Sequence, residues 1–401
     1  MRPPFHSSPT LRGTLLVAAA ALAAALVAPA FTSMHRGSMS ADPRFDSPEK
    51  PASERVDAIF PGPGVTRETR LSEFFAPLAG TAGDTPVFGL CGARPGGAML
   101  VLGGTHGDEP AGYLAAVVLV ERARVEAGTL FVIPRANASG FTHNVPQEGH
   151  PPRFAVHTPR GPRWFTFGAR ATNPVHQWPD PQVYTLAGSG QTLSGSETRN
   201  LNRAYPGNPR GTLTERIAHA IVSLIRRERV DLACDLHEAS PEYPVVNTIV
   251  AHQRATDLAA LVNVKLQAEG VEIGLEASPP GLHGLSHREW GDTTGTLAVL
   301  METTNPVQGR LRGRTGAAEV TGGRDRFYSR AAAAGRLSVP FPQDGWPLDV
   351  RVARHLAGIA AFASSLGELV PGREVTVAGV PDYATLVGAG LGAVLHAGGG
   401  E

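Results

Sequence analysis

The sequence predicts an α/β sandwich built on a mainly parallel sheet. Three observations carry that expectation: short apolar runs that read as buried strands, amphipathic stretches alternating with them, and a composition able to fill a core. Of 401 residues, 42% are hydrophobic and 18% charged, so there is apolar surface to bury and too little charge for a disordered chain. Gly (47) and Pro (34) are frequent but follow no G-X-Y period and form no long biased tract, which excludes collagen and low-complexity classes. Lys plus Arg equals Asp plus Glu at 36 each, so no global field draws the chain onto nucleic acid.

The amino terminus reads as an export signal. Arg2 and Arg12 precede the apolar run Thr14–Val27, and Ala28-Pro29-Ala30 supplies a small-residue cleavage site, so residues 1–30 are expected to be a signal peptide. The run is shorter than the ~20 residues a membrane-spanning helix needs. The mature protein is therefore expected outside the cytoplasm, periplasmic or extracellular, with no membrane span; an uncleaved anchor is the alternative. Residues 31–70, rich in Ser, Pro, Asp and Gly, read as a flexible leader. That leaves a single catalytic domain over 71–367 and a C-terminal tail over 368–401.

Within the domain, Ala98–Leu102 is a short buried strand closed by Gly103-Gly104. Glu109 to Ala127 has apolar residues at helical spacing and stops at Gly128. Leu130–Ile133 is the next strand. Thr214–Arg229 places Ile217, Ile221, Leu224 and Ile225 on one helical face. Strands follow at Val230–Leu236, Val245–Val250 and Thr296–Met301, with helices at Ala255–Glu269 and Val350–Leu366. Between Arg135 and Thr212 the chain shows little periodicity. That stretch holds eight arginines against Glu148, Asp180 and Glu197, so it reads either as a solvated loop or as a wall for an anionic substrate.

Chemistry gathers at the ends of the strands, where open α/β sheets bind ligands. His106 and Glu109, three apart after the first strand, make half of a zinc site. A second strand runs into Asp235 and His237, which supplies a third ligand with Asp235 as the carboxylate that orients it. A third, Leu297–Met301, ends in Glu302. A carboxylate after five apolar residues costs stability unless something satisfies it, and service as a general base is such a role. Gly284–Trp290 is a candidate for the pocket wall. Cys91 and Cys234 allow one disulfide, but strand-interior cysteines more often pack as small hydrophobes, so two buried free thiols are expected.

Four motifs stand in order: His106-x-x-Glu109, Asn200-Leu-Asn202-Arg203-Ala-Tyr-Pro-Gly207, Asp235-Leu-His237 and Met301-Glu302-Thr303. Over about residues 85–305 this arrangement resembles the succinylglutamate desuccinylase/aspartoacylase family, a branch of the zinc carboxypeptidase superfamily. The resemblance implies a zinc carboxypeptidase-like three-layer sandwich with a mixed, mainly parallel sheet. It also implies one Zn2+ per chain on His106, Glu109 and His237, with Glu302 as general base. Asn202 and Arg203 would hold the substrate carboxylate, and Arg199 falls near the family's oxyanion-stabilising arginine. Two departures stand out. Asn200 replaces a frequent Asp, which leaves the metal ligands themselves untouched, and the tail is too short for the family's β-rich C-terminal domain. The expected activity is hydrolysis of a small, carboxylate-bearing N-acyl amino acid. A carboxypeptidase or peptidoglycan-peptide hydrolase with the same site is the alternative, and a non-catalytic binding protein fits the intact ligand set poorly.

Overall fold

In the computed structural model, which describes residues 57–397, the chain enters the fold through two short antiparallel strands, β1 (Arg67–Arg70) and β2 (Pro86–Cys91). The signal-peptide segment 1–30 and most of the leader lie outside the described residues. Next comes β3 (Arg94–Leu102), whose end is apolar on both faces: Met99 and Val101 enter one core cluster, Leu100 and Leu102 another. A strand covered on both sides belongs in a sheet between two helical layers. Helix α1 (Pro110–Arg122) begins with proline, where a missing N–H costs nothing. Gly112 lets it close on the sheet, since a Cβ there would lie 2.4 Å from the Leu236 carbonyl oxygen.

The helix expected over 109–127 is too long. Ala123 turns extended, and residues from Arg124 onward join β4 (Arg124–Ile133), whose ladders with neighbours on both sides outweigh the helical spacing of its first residues. The aperiodic stretch 135–212 contains two small hairpins, β5 (Arg153–Thr158) with β6 (Gly161–Thr166) and β7 (Val183–Thr185) with β8 (Thr192–Ser194). Helix α2 (Leu213–Arg227) starts from a capping box: Thr212 accepts from the Glu215 N–H and Glu215 from that of Thr212.

There follow β9 (Leu232–Ala239), β10 (Thr248–Ala251), α3 (Thr256–Ala268), β11 (Gly274–Ala277), α4 (Ser286–Thr294) and β12 (Leu297–Thr304). The chain ends with α5 (Ala317–Gly322), α6 (Arg326–Ala333), α7 (Leu348–Leu369), β13 (Thr376–Ala378), α8 (Tyr383–Ala389) and α9 (Leu391–Val394).

The main sheet runs β1-β2-β4-β3-β9-β12-β10-β11, with β13 also on β4. Its centre, β4-β3-β9-β12, is parallel, while β1, β2, β10 and β13 make antiparallel pairs. This is the expected mixed, mainly parallel sandwich. Helices α1, α3 and α7 bury their apolar residues on one face, and α2 with Trp290 of α4 on the other. The chain passes from β3 leftward to β4 and then back across to β9, so the order reverses beside the end of β3, the place where such sheets bind ligands. Among the described residues no helix is long and apolar enough to cross a membrane.

Packing changes at neither residue 70 nor residue 367, the boundaries expected from sequence. Residues 57–70 pack on the domain and β13 extends its main sheet, because both segments answer backbone groups that the sheet and α1 leave open. The cysteines also differ from expectation in part. Cys234 is buried, Cys91 is exposed, and both are free. Two strands lie between theirs, so about 14 Å of sheet separates them, too far to bridge.

The two ends meet at one buried ion pair. Arg163 on β6 grips Glu121 on α1 with two 2.9 Å bonds and also donates to the carbonyls of Ala58 and His396. Glu121 in turn accepts from the N–H groups of Phe60 and His396. Substituting Arg163→Met leaves the Glu121 carboxylate buried and uncompensated, so chemical denaturation should show a loss of about 3–5 kcal/mol. Adding Glu121→Gln should recover much of it. A single variant as stable as wild type overturns this account.

Candidate metal centre

β9 and β12 run parallel in register, so His237 and Glu302 are side-by-side neighbours at the C-terminal end of the sheet. Both share a sheet face with Ala233 and Ala298, which is the face covered by α2 and α4. His106 and Glu109 arrive from the loop between β3 and α1. That loop is clamped to residues 168–169 by two backbone bonds, Gly107 N–H to the Ala169 carbonyl and Gly168 N–H to the Gly107 carbonyl, each 2.9 Å. A Cβ at Gly107 would meet the Ala169 oxygen at 3.0 Å, so the clamp needs glycine there. The clamp brings Arg170, which no sequence motif marks, to the same point.

One donor atom each from His106, Glu109 and His237 lies within 4.8 Å of the others. Glu109 is the hub: Oε1 is 2.8 Å from His106 Nδ1, and Oε2 is 2.9 Å from His237 Nδ1. The outward nitrogens are held as well. His106 Nε2 lies 2.9 Å from Asn200 Oδ1, and His237 Nε2 lies 2.9 Å from Asp235 Oδ2, an ion-pair distance without hydrogen-bond alignment. Asp235 also accepts from the Thr105 hydroxyl.

The Asn200 contact settles the His106 tautomer. Asn200 Oδ1 already accepts from the Asn202 N–H, and its Nδ2 donates to Glu197 at 2.7 Å, so the amide cannot be flipped. His106 must therefore carry its proton on Nε2. Burial, then the Arg170 charge, lowers its pKa to about 4, so the ring is neutral. Nδ1 and Glu109 Oε1 are then two acceptors facing each other at 2.8 Å, with Arg170 Nη1 donating to both from 3.2 Å. Such a contact is stable only around a cation. Ligands on one tetrahedral zinc lie roughly 3.3 Å apart, close to what the three side chains present. His106 also offers the second hydrogen bond that orients ligating imidazoles, and His237 has a carboxylate at its outward nitrogen. The residues fit a zinc ion. Asn200 leaves the donor set itself unchanged and orients the His106 ring.

The charges agree with that reading. Burial opposes ionisation of His237, but Asp235 and then Glu109 outweigh it and raise its pKa well above the ordinary value. Burial likewise works against the Glu109 anion, but His106 and His237 pull its pKa well down. Burial lifts Glu302 to about 8, and its Oε2 has no hydrogen-bond partner.

These groups floor a cavity of about 720 Å³, within the usual size range of small-ligand sites. Asn202 and Arg203 line it. The Asn202 carbonyl oxygen is taken by the Ser286 N–H, which leaves its NH2 as donor. Arg203 has no carboxylate closer than Glu197 at 3.9 Å. Burial and the Arg170 charge lower its pKa, outweighing Glu197 and Glu302.

Three expectations are corrected. Arg199 does not line the cavity: the short turn Gly195–Arg199 points it at Asp180 (2.7 and 2.9 Å) and the Thr172 carbonyl. Of the eight arginines in the aperiodic stretch, only Arg170 and Arg203 line the cavity; Arg135 and Arg163, for example, pair with Asp57 and Glu121. Gly284–Trp290 lies behind the wall and acts through the Ser286 bond to Asn202.

Elemental analysis should find about one zinc per chain and none in His237→Ala. Asn200→Ala should keep the fold and weaken zinc by about 10–100-fold in a chelator competition. Unchanged affinity in the Asn200 variant overturns the orienting role.

The family model described as the succinylglutamate desuccinylase/aspartoacylase catalytic domain matches residues 189–302, a span holding Asn200–Arg203, His237 and Glu302. No curated protein matches the chain. Among solved structures, a succinylglutamate desuccinylase/aspartoacylase from Rhodobacter sphaeroides is 21% identical, with 57% of this chain and 54% of that one aligned (TM-score 0.36). The cell shape determinant protein Csd4 from Helicobacter pylori is 13% identical over 76% of this chain and 59% of that one (TM-score 0.44). A metallo-carboxypeptidase from Burkholderia cenocepacia is 11% identical over 77% and 66% (TM-score 0.42). The chain thus spans between about half and two thirds of the length of these proteins. The resemblance drawn from four short motifs is sustained where the family model applies: residues 189–302 carry the catalytic-domain pattern of the succinylglutamate desuccinylase/aspartoacylase family.

Proposed function

We propose that the protein is an exported, zinc-dependent hydrolase that cleaves the amide bond of a small N-acyl amino acid bearing a free carboxylate. The observation that carries this reading is the cavity floor. There, His106, Glu109 and His237 converge beside a Glu302 oxygen that is buried and has no partner. Export rests on the composition of residues 1–30 alone.

His106, Glu109 and His237 would hold a zinc ion, which would supply Lewis acidity and make water acidic enough to attack near neutral pH. Glu302 Oε2 takes a proton from the attacking water and later hands it to the leaving nitrogen. The raised affinity of this carboxyl for a proton suits it to hold one between those transfers. Arg203 and the Asn202 NH2 hold the substrate carboxylate. Arg170, not Arg199, is the arginine in reach to share charge that develops on the carbonyl oxygen.

One observation favours a peptide as the substrate, cleaved by the same site. The cavity is wide for a single N-acyl amino acid and continues past the exposed Tyr243 and Val245. A panel of N-acyl amino acids and short peptides, assayed with and without chelator, separates the two by their products. Activity that survives complete metal removal overturns both.

Glu302→Gln keeps shape and hydrogen bonding but cannot accept the proton. It should keep zinc and melting temperature while kcat falls by about 10²–10⁴-fold. A purely structural role predicts the opposite pair of changes, and turnover within about threefold of wild type excludes the base assignment. Arg203→Ala removes a charge-assisted contact worth about 1.5–3 kcal/mol, so kcat/KM should drop by ten- to a hundredfold. Equal rates on a substrate and its methyl ester contradict the carboxylate requirement.

A further inference from the structure

A second concavity of about 860 Å³ lies between the β12–α5 connection and α6. From Arg310 to Arg330 this region carries six arginines against two carboxylates, on a chain whose formal net charge is zero. Neither carboxylate is free. Glu319 accepts from the Gly316 N–H, and Asp325 accepts from the N–H groups of Gly313, Phe327 and Tyr328. Arg312 reaches Glu148 and Arg324 pairs with Asp344. Arg314 and Arg326 line the groove, are exposed, and have no acidic partner among the described residues. The Arg326 and Arg330 guanidinium groups both lie over the Phe327 ring, at 5.1 and 5.6 Å from its centre, and Arg326 with Phe327 lines the groove.

The groove adjoins the cavity of the metal centre through the Arg312–Glu148 pair. Arg310 lines the cavity and Arg312 the groove, and Glu148, the partner of Arg312, belongs to the cavity wall. An anion seated in the groove therefore sits beside the mouth of the site that holds the scissile bond. We propose that this arginine-lined groove is a second anion subsite, which takes the acidic continuation of a peptide whose scissile amide lies over the zinc ligands. The proposal rests on the hydrolase reading above and narrows its substrate class to peptides with further carboxylates beyond the cleaved bond. Planar guanidinium forks match carboxylates bidentately, and a neighbouring cavity read as amide-cleaving favours a peptide over a nucleic acid.

The test uses the full-length, zinc-loaded protein and a labelled oligoglutamate of about six residues, extended enough to reach roughly 20 Å. Fluorescence anisotropy compares wild type with Arg314→Glu/Arg326→Glu and with Arg314→Lys/Arg326→Lys, after melting temperatures confirm folding. Charge reversal should weaken binding by about tenfold or more, while the lysine pair stays within about threefold, and wild-type binding should fall as salt rises. With N-acylglutamate and its oligoglutamate extension as matched substrates, reversal should raise KM for the extended one only. No binding by wild type, equal binding by all three proteins, or tighter binding of an oligothymidylate of equal charge overturns the proposal. Arginine-dependent peptide binding without any hydrolysis supports the subsite and sinks the hydrolase reading instead.

Discussion

The Glu109 carboxylate is 2% exposed, and His106, His237, Arg170, Gln308 and the Glu238 N–H all approach it. A bare buried anion is costly, so the architecture around it is understood by asking what repays that cost. Asp108, Glu238 and Glu302 line the same cavity, and burial lifts these three toward the neutral form, to about 7, 7 and 8. Acids outnumber arginines around this cavity, an imbalance that a divalent cation would offset. The lone pair on His106 faces the carboxylate for the same reason.

Support for the centre reaches back into the helical layer on the other face of the sheet. Glu238 is one residue beyond His237 and points to the opposite face, where Arg351 of α7 binds it at 2.6 Å with both side chains buried. The same carboxylate accepts from the Ala111 N–H in the first turn of α1, which immediately follows Glu109. One ion pair therefore ties the end of β9, the start of α1 and the first turn of α7 together. Arg354, one turn on, donates to Thr303 and Asn247, which fixes the residue after Glu302. His237 and Glu302 stand on a frame whose alternation along β9 and β12 sends one side chain to the cavity and the next to an anchor.

Most of this was legible where periodicity or a strand end carried it. The parallel centre followed from apolar runs between amphipathic helices, and His106, Glu109, His237 and Glu302 all lie where strands finish. The misread residues lie where only the path of a loop decides. Arg199 is four residues before Arg203, yet a single short turn sends it to Asp180. Arg170 has no motif, and its arrival depends on the clamp at Gly107, whose only trace in the sequence is a pair of glycines at 107 and 168. The overrun of α1 has a different cause. Residues 124–127 satisfy helical spacing, but β13, with Arg94 at the start of β3, offers their backbone a better set of partners.

Asn200 shows how far a local departure is held in place by its surroundings. An aspartate at this position would accept from His106 Nε2 equally well and make that ligand more basic. Its second oxygen, however, would stand where Nδ2 now meets Glu197 at 2.7 Å, and two carboxylates at that distance cannot both ionise. The amide removes the conflict and converts Glu197 from a repelling neighbour into the acceptor that fixes the amide's orientation. It also leaves the two histidines unlike each other, one backed by a neutral oxygen and one by the Asp235 carboxylate. Burial and the Arg170 charge keep the first imidazole neutral, while Asp235 and Glu109 make the second readily protonated. A cation entering the site would therefore displace a proton from His237 and none from His106, so the two imidazoles would contribute unequally to the pH dependence of metal binding.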